Sequence, residues 1–487
     1  MRPVIPSAEA PRVKIESVER FERDVRLRLP FRFGVTTVTQ ATQAVIRARV
    51  SCEGRSVSGV AAESLAAKWF DKNLALSDEQ NIEQLRQSLD VATDLYRAHG
   101  PDTAFGLFAR NYRAQHERCG ALGLNALIAS YGPALLDRAV IDALGRTLNL
   151  SFATLMARNL AGIEPGLTPD LMNFDLDGFL AGLRLGAQIE VRHTVGLIDP
   201  ITAADREERI DGLPVTLEEV VRRYGCRYYK LKVGGDVMAD LDRLARIAAV
   251  LDRDVPDYRA TLDGNEQYDD IEGIAELWRR MREAPVLNRL CSAVLFIEQP
   301  IKRAVALSRP VAALADRPLI IDESDGELSS FPDAVALGYR GVSSKICKGF
   351  YKSVLNAARV ACMNAAAGSP RYFMSAEDLT TWPGVSLQQD LALASFLGLG
   401  HIERNGHHFI DGMCFAPEAE QNSFVAAHPD LYERRAHEPA RLRIRDGRLR
   451  IGSLDGPGFA VGAEMDFGAM RAMPPAPRGP IRARASA

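Results

Sequence analysis

Apolar and polar positions alternate strictly in the stretch Tyr228-Tyr229-Lys230-Leu231-Lys232-Val233. Tyr229, Leu231 and Val233 fall on one face of a strand, and Lys230 and Lys232 fall on the other. Two lysines on one face of an otherwise apolar strand are costly to bury without partners. The stretch therefore predicts either a solvated edge strand or two cations pointing into an anionic pocket.

The same kind of patterning divides the rest of the chain. From Val13 to about Gly59 the texture is β. A strand is expected over 15–29, a break at Pro30-Phe31-Arg32-Phe33-Gly34, a second strand over 43–50 and a turn at Glu53-Gly54. From Ser77 to about Gly162 the period becomes helical, with Ile82, Leu85, Leu89 and Leu95 on one face, and later Leu135, Val140, Ile141 and Leu144. From about Ile189, short apolar runs at 190–197, 228–233, 259–262, 294–297, 319–321, 342–346 and 372–374 alternate with amphipathic helices at 240–251, 271–280 and 352–363. Repeated strand–helix alternation means a parallel sheet, and seven or eight units favour a closed barrel over an open doubly wound sheet. No GxGxxG or GxxxxGKS follows any of these strands, which weighs against nucleotide binding.

The expected organisation is a flexible tail at 1–12, an α+β capping domain at 13–165 and a (β/α) barrel at 166–438. Residues 439–469 are expected to return to the cap, and 470–487 to form a disordered tail. Asp446-Gly447 between the runs 442–445 and 449–451 predicts a hairpin that completes the cap sheet. The polar stretch 199–214 reads as an insertion after the first barrel strand. The fold class is α/β: a modified (β/α)7β TIM-type barrel with an α+β cap.

Composition adds little beyond exclusions. The chain has 487 residues, 47% hydrophobic and 25% charged, with a net charge of −3, so no polyanion partner is implied. The seven cysteines, Cys52, Cys119, Cys226, Cys291, Cys347, Cys362 and Cys414, form no CxxC, which suits a reducing compartment and argues against a disulfide framework or a zinc site. No signal peptide is visible after Met1, and no apolar run reaches the ~18 residues of a membrane span. A cytoplasmic protein without nucleic-acid or membrane partners is the expectation.

Functional groups of a (β/α) barrel gather at the C-terminal ends of its strands. Those ends read Lys230-Leu231-Lys232, then Asp263-Gly264-Asn265, Glu298-Gln299-Pro300, Asp322-Glu323-Ser324 and Lys345-Ile346-Cys347. Asp263, Glu298 and Asp322 come from three successive strands. Three converging carboxylates repel one another unless a cation shares the site. All-oxygen donors suit a hard ion such as Mg²⁺. Taken singly, each acid could also be a helix N-cap.

Lys-x-Lys, Asp-x-Asn, Glu-Gln-Pro, Asp-Glu-Ser and a later lysine, in this order on successive strands, resemble the enolase superfamily. The second lysine resembles the muconate-lactonizing-enzyme-like branch of the mandelate racemase/muconate lactonizing enzyme group. The resemblance covers roughly residues 13–466. It implies that Asp263, Glu298 and Asp322 bind one Mg²⁺ and that Lys232 is the acid/base on one face of the substrate α-carbon. It places Lys345 on the opposite face, and Lys230 beside Lys232, lowering its proton affinity. Asn265 and Glu323 become supporting partners, with Asp322 preferred over Glu323 as third ligand. The strand-seven segment 371–378 has no histidine, which disfavours the mandelate-racemase-like branch.

Glu377, Asp378, Phe33 and Trp69 are candidates for substrate contact, with Phe31, Phe70 and Trp382 as further lid residues. His193 reads as a core histidine, His407 and His408 as a polar loop, and Lys348 as structural. The implied activity is Mg²⁺-dependent abstraction of the proton α to a carboxylate, in an isomerase (racemase, epimerase or cycloisomerase). A sugar-acid or related dehydratase acting by β-elimination is the alternative. A Schiff-base aldolase-type barrel and a non-catalytic acid-binding barrel are readings of another class. The expected partner is a small carboxylate, and the chain is expected to form a homo-oligomer.

Overall fold

The protein's structure, a computed structural model, describes residues 10–34, 36–205, 211–311, 314 and 316–481. Three antiparallel strands open it: β1 (Val13–Phe33), β2 (Thr36–Cys52) and β3 (Arg55–Ser64). β1 starts in strict alternation, Val13 and Ile15 buried, Lys14 and Glu16 exposed. β2 turns into β3 at Glu53-Gly54, both at positive φ (50° and 75°), as the two-residue hairpin signal requires. The expected break at Pro30 is a bulge instead. β1 runs on to Phe33, with its register shifting between Arg26 and Phe31. Proline has no N–H for the ladder and is tolerated where pairing slips. The chain reverses at Gly34, whose φ of 52° suits glycine.

Helices α1 (Asp78–Ala98), α2 (Ala104–Ala121), α3 (Ala126–Ala129) and α4 (Tyr131–Leu148) cover this sheet. α1 starts from a Ser77–Gln80 capping box. α4 lies against β2 and β3. It comes this close because Gly59 has no side chain; a Cβ there would stand 2.0 Å from the Ala139 carbonyl oxygen. Leu85, Leu89, Leu135, Val140, Ile141 and Leu144 are all buried beneath it, as the helical spacing predicts.

Eight parallel strands follow: β4 (Gln188–Val195), β5 (Tyr228–Lys232), β6 (Arg259–Asp263), β7 (Val294–Glu298), β8 (Leu319–Ile321), β9 (Gly341–Ser344), β10 (Phe373–Ala376) and β11 (His401–Arg404). Each pairs with the next, and β11 closes on β4. The sheet is a closed (β/α) barrel with an α+β cap. The last strand, β11, was not among the apolar runs that the sequence pattern singles out. Helices such as Val237–Asp254, Ile271–Glu283 and Phe350–Ala367 cover the outside. Within the expected insertion, residues 206–210 lie outside the described residues. Its end is tied to β1, because the Arg28 guanidinium donates to both Asp211 carboxylate oxygens (2.8 and 3.0 Å) and to the Pro214 carbonyl (3.0 Å).

The C-terminal segment departs from its expected course. β12 (Tyr432–Glu433) pairs with β13 (Arg441–Leu442), and β14 (Arg448–Arg450) pairs with the first barrel strand, β4. A hairpin signal specifies local pairing and leaves open which sheet receives it. Return to the cap happens later. Phe459 stacks on Phe152 at 3.9 Å, and β15 (Arg471–Ala472) joins the edge of β1. The tail expected to be disordered from 470 is described as far as Ile481, and the Gln87 amide donates to the Pro477 and Gly479 carbonyls (2.7 Å each). The expected flexible tail at 1–12 lies outside the described residues up to Glu9, and so do residues 482–487. Among the described residues no helix is long and apolar enough to cross a membrane.

Candidate active site

Strand register levels the functional groups. Lys232 pairs with Asp263, and Asp263 with Glu298, so the ends of β5, β6 and β7 stand side by side. Alternation then turns Lys230 and Lys232 to one side of β5, while Tyr229 and Leu231 join the apolar core. Both lysines are buried, as are Asp263, Glu298, Asp322 and Lys345. The solvated edge-strand reading is thereby excluded.

Lys230 is the most heavily partnered cation. Its Nζ lies 2.9 Å from Asp263, 2.8 Å from Glu298, 2.8 Å from Glu377 and 2.9 Å from Glu403. Burial works against its charge, but the four carboxylates outweigh burial and hold its pKa well above the ordinary lysine value. Lys232 donates to Asp263 Oδ2 (2.5 Å) and Asn265 Oδ1 (2.6 Å). Lys345, across the barrel, donates to Asp322 Oδ2 (2.6 Å), and its Nζ stands 4.3 Å from the Trp69 ring centre. Burial opposes the Lys345 charge too, and Asp322 again wins and raises its pKa.

The acids divide in the same way. Burial pushes Asp263 and Asp322 upward, yet Lys230 with Lys232, and Lys345 with Lys348, hold their carboxyls below the usual range. Glu298 goes the other way. Burial first, then the neighbouring Asp263 and Glu377, raise it well above a normal glutamate, and Lys230 does not offset them. Its Oε2 is buried without a hydrogen bond of good geometry. Among the described residues no three acids, histidines or cysteines form a finished ligand set, since ammonium groups stand between these acids. The donor chemistry nevertheless fits a hard dication: the oxygens are all carboxylate, and repulsion among the crowded acids outweighs Lys230 at the central one.

Supporting residues explain the strand-end motifs. Asn265 Nδ2 donates to Glu323 Oε1 (3.2 Å), which also lies 3.5 Å from Lys72 Nζ. Gln299, of the Glu-Gln-Pro motif, accepts from the Asp322 and Ser324 backbone N–H groups (2.9 and 3.1 Å), so it locks β7 to the end of β8. Asn265 and Gln299 both hold left-handed backbone (φ 39° and 31°), a local strain at the strand ends. Lys348, read as structural, reaches Asp322 Oδ1 (3.3 Å) and Asp325 Oδ2 (3.0 Å).

A cavity of about 390 Å³ opens between this charged surface and the cap. Lys232, Asn265, Lys345, Asp378 and Glu403 line one side of it, and Phe31, Phe33, Trp69, Trp382 and the 36–42 segment of β2 line the other. Lys230, Asp263, Glu298, Asp322, Glu323, Glu377 and Phe70 are not among the residues that line it; the acids lie beneath the lysines. Glu377, a candidate for substrate contact, accepts instead from Lys230 (2.8 Å), from the Ser375 hydroxyl (2.5 Å) and from Arg192. Asp378 does line the cavity, but its carboxylate accepts from Arg404 (3.1 Å) and from the Leu379, Thr381 and Asn405 backbone N–H groups. His193 packs with His407 and His408 away from the cavity, ring centres 5.3 and 5.2 Å apart.

Glu403 is the residue that strand-end reading overlooked. It is the penultimate residue of β11, and it accepts from Thr194 (2.7 Å), Lys230 (2.9 Å) and the Asp378 N–H (2.8 Å). The rule that found the other acids would have found it too, had the run at 401–404 been taken as a strand.

Comparison with known proteins agrees with this architecture. The sequence model of the family described as enolase C-terminal domain-like matches residues 213–467. No curated protein sequence matches the chain. Among solved structures the fold is similar to a muconate lactonizing enzyme from Pseudomonas fluorescens complexed with muconolactone (TM-score 0.59, 19% identity, 94% of this chain and 98% of that one). It is similar too to an enolase from Bradyrhizobium complexed with magnesium and mandelic acid (TM-score 0.58, 18% identity, 94% and 97% covered). A mandelate racemase/muconate lactonizing protein from Herpetosiphon aurantiacus gives a TM-score of 0.59 at 15% identity, with 93% and 99% covered.

Proposed function

This chain belongs to the enolase C-terminal domain-like family, and from that premise we propose that it is an Mg²⁺-dependent isomerase acting on a carboxylic acid. It takes the proton from the carbon α to the carboxylate and returns one to a different position or face. One observation carries the reading. Lys232 ends β5 and Lys345 directly follows β9, four strands away in an eight-stranded closed barrel, and both line the same cavity. Two lysines on opposite sides of one substrate, one as the neutral amine and the other as the ammonium, can remove a proton from one face and deliver one to the other.

In this reading Asp263, Glu298 and Asp322 hold the ion. When bound, the ion supplies positive charge that stabilises the negative charge developing on the substrate carboxylate. Magnesium is bound in the similar Bradyrhizobium enolase. Lys232, oriented by Asp263 and Asn265, holds or accepts a proton at Nζ on one face. Lys345, oriented by Asp322 and covered by Trp69, does the same on the other. Lys230 keeps the crowded acids together and stabilises nearby anionic charge.

The test is a panel of carboxylic acids incubated with the protein and Mg²⁺ in D₂O, followed by NMR for loss of the α-proton signal. Exchange is expected with at least one acid, is expected to stop with EDTA, and is expected to vanish in Lys232→Ala and Lys345→Ala while Mg²⁺ binding by calorimetry survives. Full exchange in both single variants would defeat the mechanism. Release of water with formation of a 2-keto acid would assign the dehydratase outcome instead. Borohydride trapping that persists in EDTA would assign Schiff-base chemistry.

A further inference from the structure

The 390 Å³ cavity carries its positive charge at one end only. Among the described residues that line it, the cations are Lys232 and Lys345, both at the barrel mouth, and there is no arginine and no histidine. Both lysines are already held by carboxylates of the barrel. The cap side is uncharged along the lining segment of β2, which contributes Thr37, Val38, Thr39, Gln40 and Thr42 to the wall, the Thr42 hydroxyl donating to Asp24 (2.6 Å). Phe31, Phe33, Trp69 and Trp382 supply its apolar surface.

Where charge does occur beyond the barrel mouth, it is negative. Asp78 and Glu79, the first two residues of α1, line the cavity too, Glu79 paired with Arg86 (2.6 Å) behind it. The start of α1 is not an open anion site, because Ser77 and Gln80 already cap it reciprocally and the two acids occupy its first turn. A second carboxylate or a phosphate on the far end of a ligand would leave water to face neutral walls and acids, with no cation among the described lining residues to receive it. The cavity is also large for a small hydroxy acid: about 390 Å³ holds roughly a dozen water-sized groups of about 30 Å³ each.

Resting on the acid–base reading above, we propose that the substrate is a monocarboxylate with a bulky, uncharged and partly apolar body, and that diacids and phosphorylated acids are rejected. The lone carboxylate goes to the barrel mouth. The body lies against the aromatic side chains, and the threonine hydroxyls of β2 offer it neutral hydrogen bonds. Selection is by the absence of a second cation as much as by any contact made.

Two of the chain's three tryptophans, Trp69 and Trp382, line the cavity, so indole fluorescence of the full chain with Mg²⁺ reports binding. The probes are matched pairs of 2-hydroxy carboxylic acids with phenyl, naphthyl or branched-alkyl bodies, each beside a counterpart bearing a distal carboxylate or phosphate. The neutral-bodied member of each binding pair is expected to bind at least about tenfold more tightly. Thr39→Arg, which adds a cation at an exposed strand position on the cap side, is expected to narrow that gap about fivefold or more. The proposal is overturned if the anionic-bodied members bind as well or better, if no neutral-bodied member binds, or if Thr39→Arg leaves the gap unchanged. Parallel α-proton exchange in D₂O separates the two conclusions. Tight neutral binders that never exchange would defeat the acid–base reading alone, and exchange confined to diacids would defeat the substrate class alone.

Discussion

At the barrel end of the cavity, Lys232 and Lys345 are gripped by Asp263 and Asp322 at 2.5 and 2.6 Å, whereas the 36–42 segment of β2 lines the cavity with threonines, Gln40 and Val38 and no charged residue. The first surface is a dense lattice of buried ion pairs on strands of a closed sheet. The second is the face of a long hairpin, β1–β2, that carries a bulge at Pro30. The difference separates two tasks. Proton transfer needs groups held to within tenths of an ångström, and the closed barrel supplies that rigidity. Choosing a substrate needs shape and the right absence of charge, and a hairpin can vary these without disturbing the strand ends.

The contrast can be broken most severely at the lysines. Lys232→Ala and Lys345→Ala are each expected to lower α-proton exchange by about 10²–10⁴-fold, with circular dichroism unchanged; Phe33→Ala on the cap should alter KM without a comparable loss of kcat. If Phe33→Ala proved as damaging to kcat as the lysine variants, the division of tasks would not hold. The next largest effect concerns stability. Lys230→Met leaves four buried carboxylates without their shared cation and is expected to cost about 3–5 kcal/mol in urea unfolding. Lys232→Met should cost less, since only Asp263 and Asn265 lose a partner.

A smaller effect should appear as pH falls, and on the cap side. His193, His407 and His408 are buried together, and His408 and Phe409 lead to Phe31, whose ring centre lies 4.4 Å from that of Phe409. Burial first, then mutual repulsion and Arg28, depress these histidines; His407 is held at about 3, and the other two well below 6.5. The unfolded chain binds protons that the folded cluster refuses. Their stabilising contribution is therefore complete above pH 6.5 and is lost as pH falls toward 3, by up to about 1 kcal/mol per pH unit for each histidine. Urea unfolding at pH 7.5 and 5.5 checks this, and His408→Gln should flatten the dependence. The gentlest probe is Thr37→Val. It removes one neutral hydrogen bond from the cap side and should raise KM by no more than about tenfold, leaving kcat in place. A collapse of kcat there would move chemistry onto the hairpin.

Much of the barrel could be read in advance, because each apolar run ends in an ionisable residue and alternation says which side chains turn inward. Lys230, Lys232, Asp263, Glu298, Asp322 and Lys345 are gathered for that reason. Depth was not legible. Glu377 also follows an apolar run, yet it lies among Arg192, Ser375 and Lys230 rather than on the cavity, since a period of two says nothing about height in the barrel. Pro30 signalled a break that the structure absorbs as a bulge, because a neighbouring strand can pair around one missing donor. The 470–481 tail looked compositionally disordered, but the Gln87 side chain and the edge of β1 give its backbone partners that no local pattern encodes.

What the chain by itself determined is the alternation that places lysines and acids on one side of successive strands, and the order of motifs that marks its family. These are short-range properties, written within a few residues. Only the tertiary structure decided which charges meet. It set Lys230 among four carboxylates gathered from separate strand ends, raised the Lys345 pKa by bringing Asp322 to it, and laid the uncharged 36–42 segment of β2 over a charged barrel mouth from far along the chain. Coulomb interactions and cavity walls depend on distance in space, and closure of the sheet from β4 to β11 is what converts sequence order into that distance.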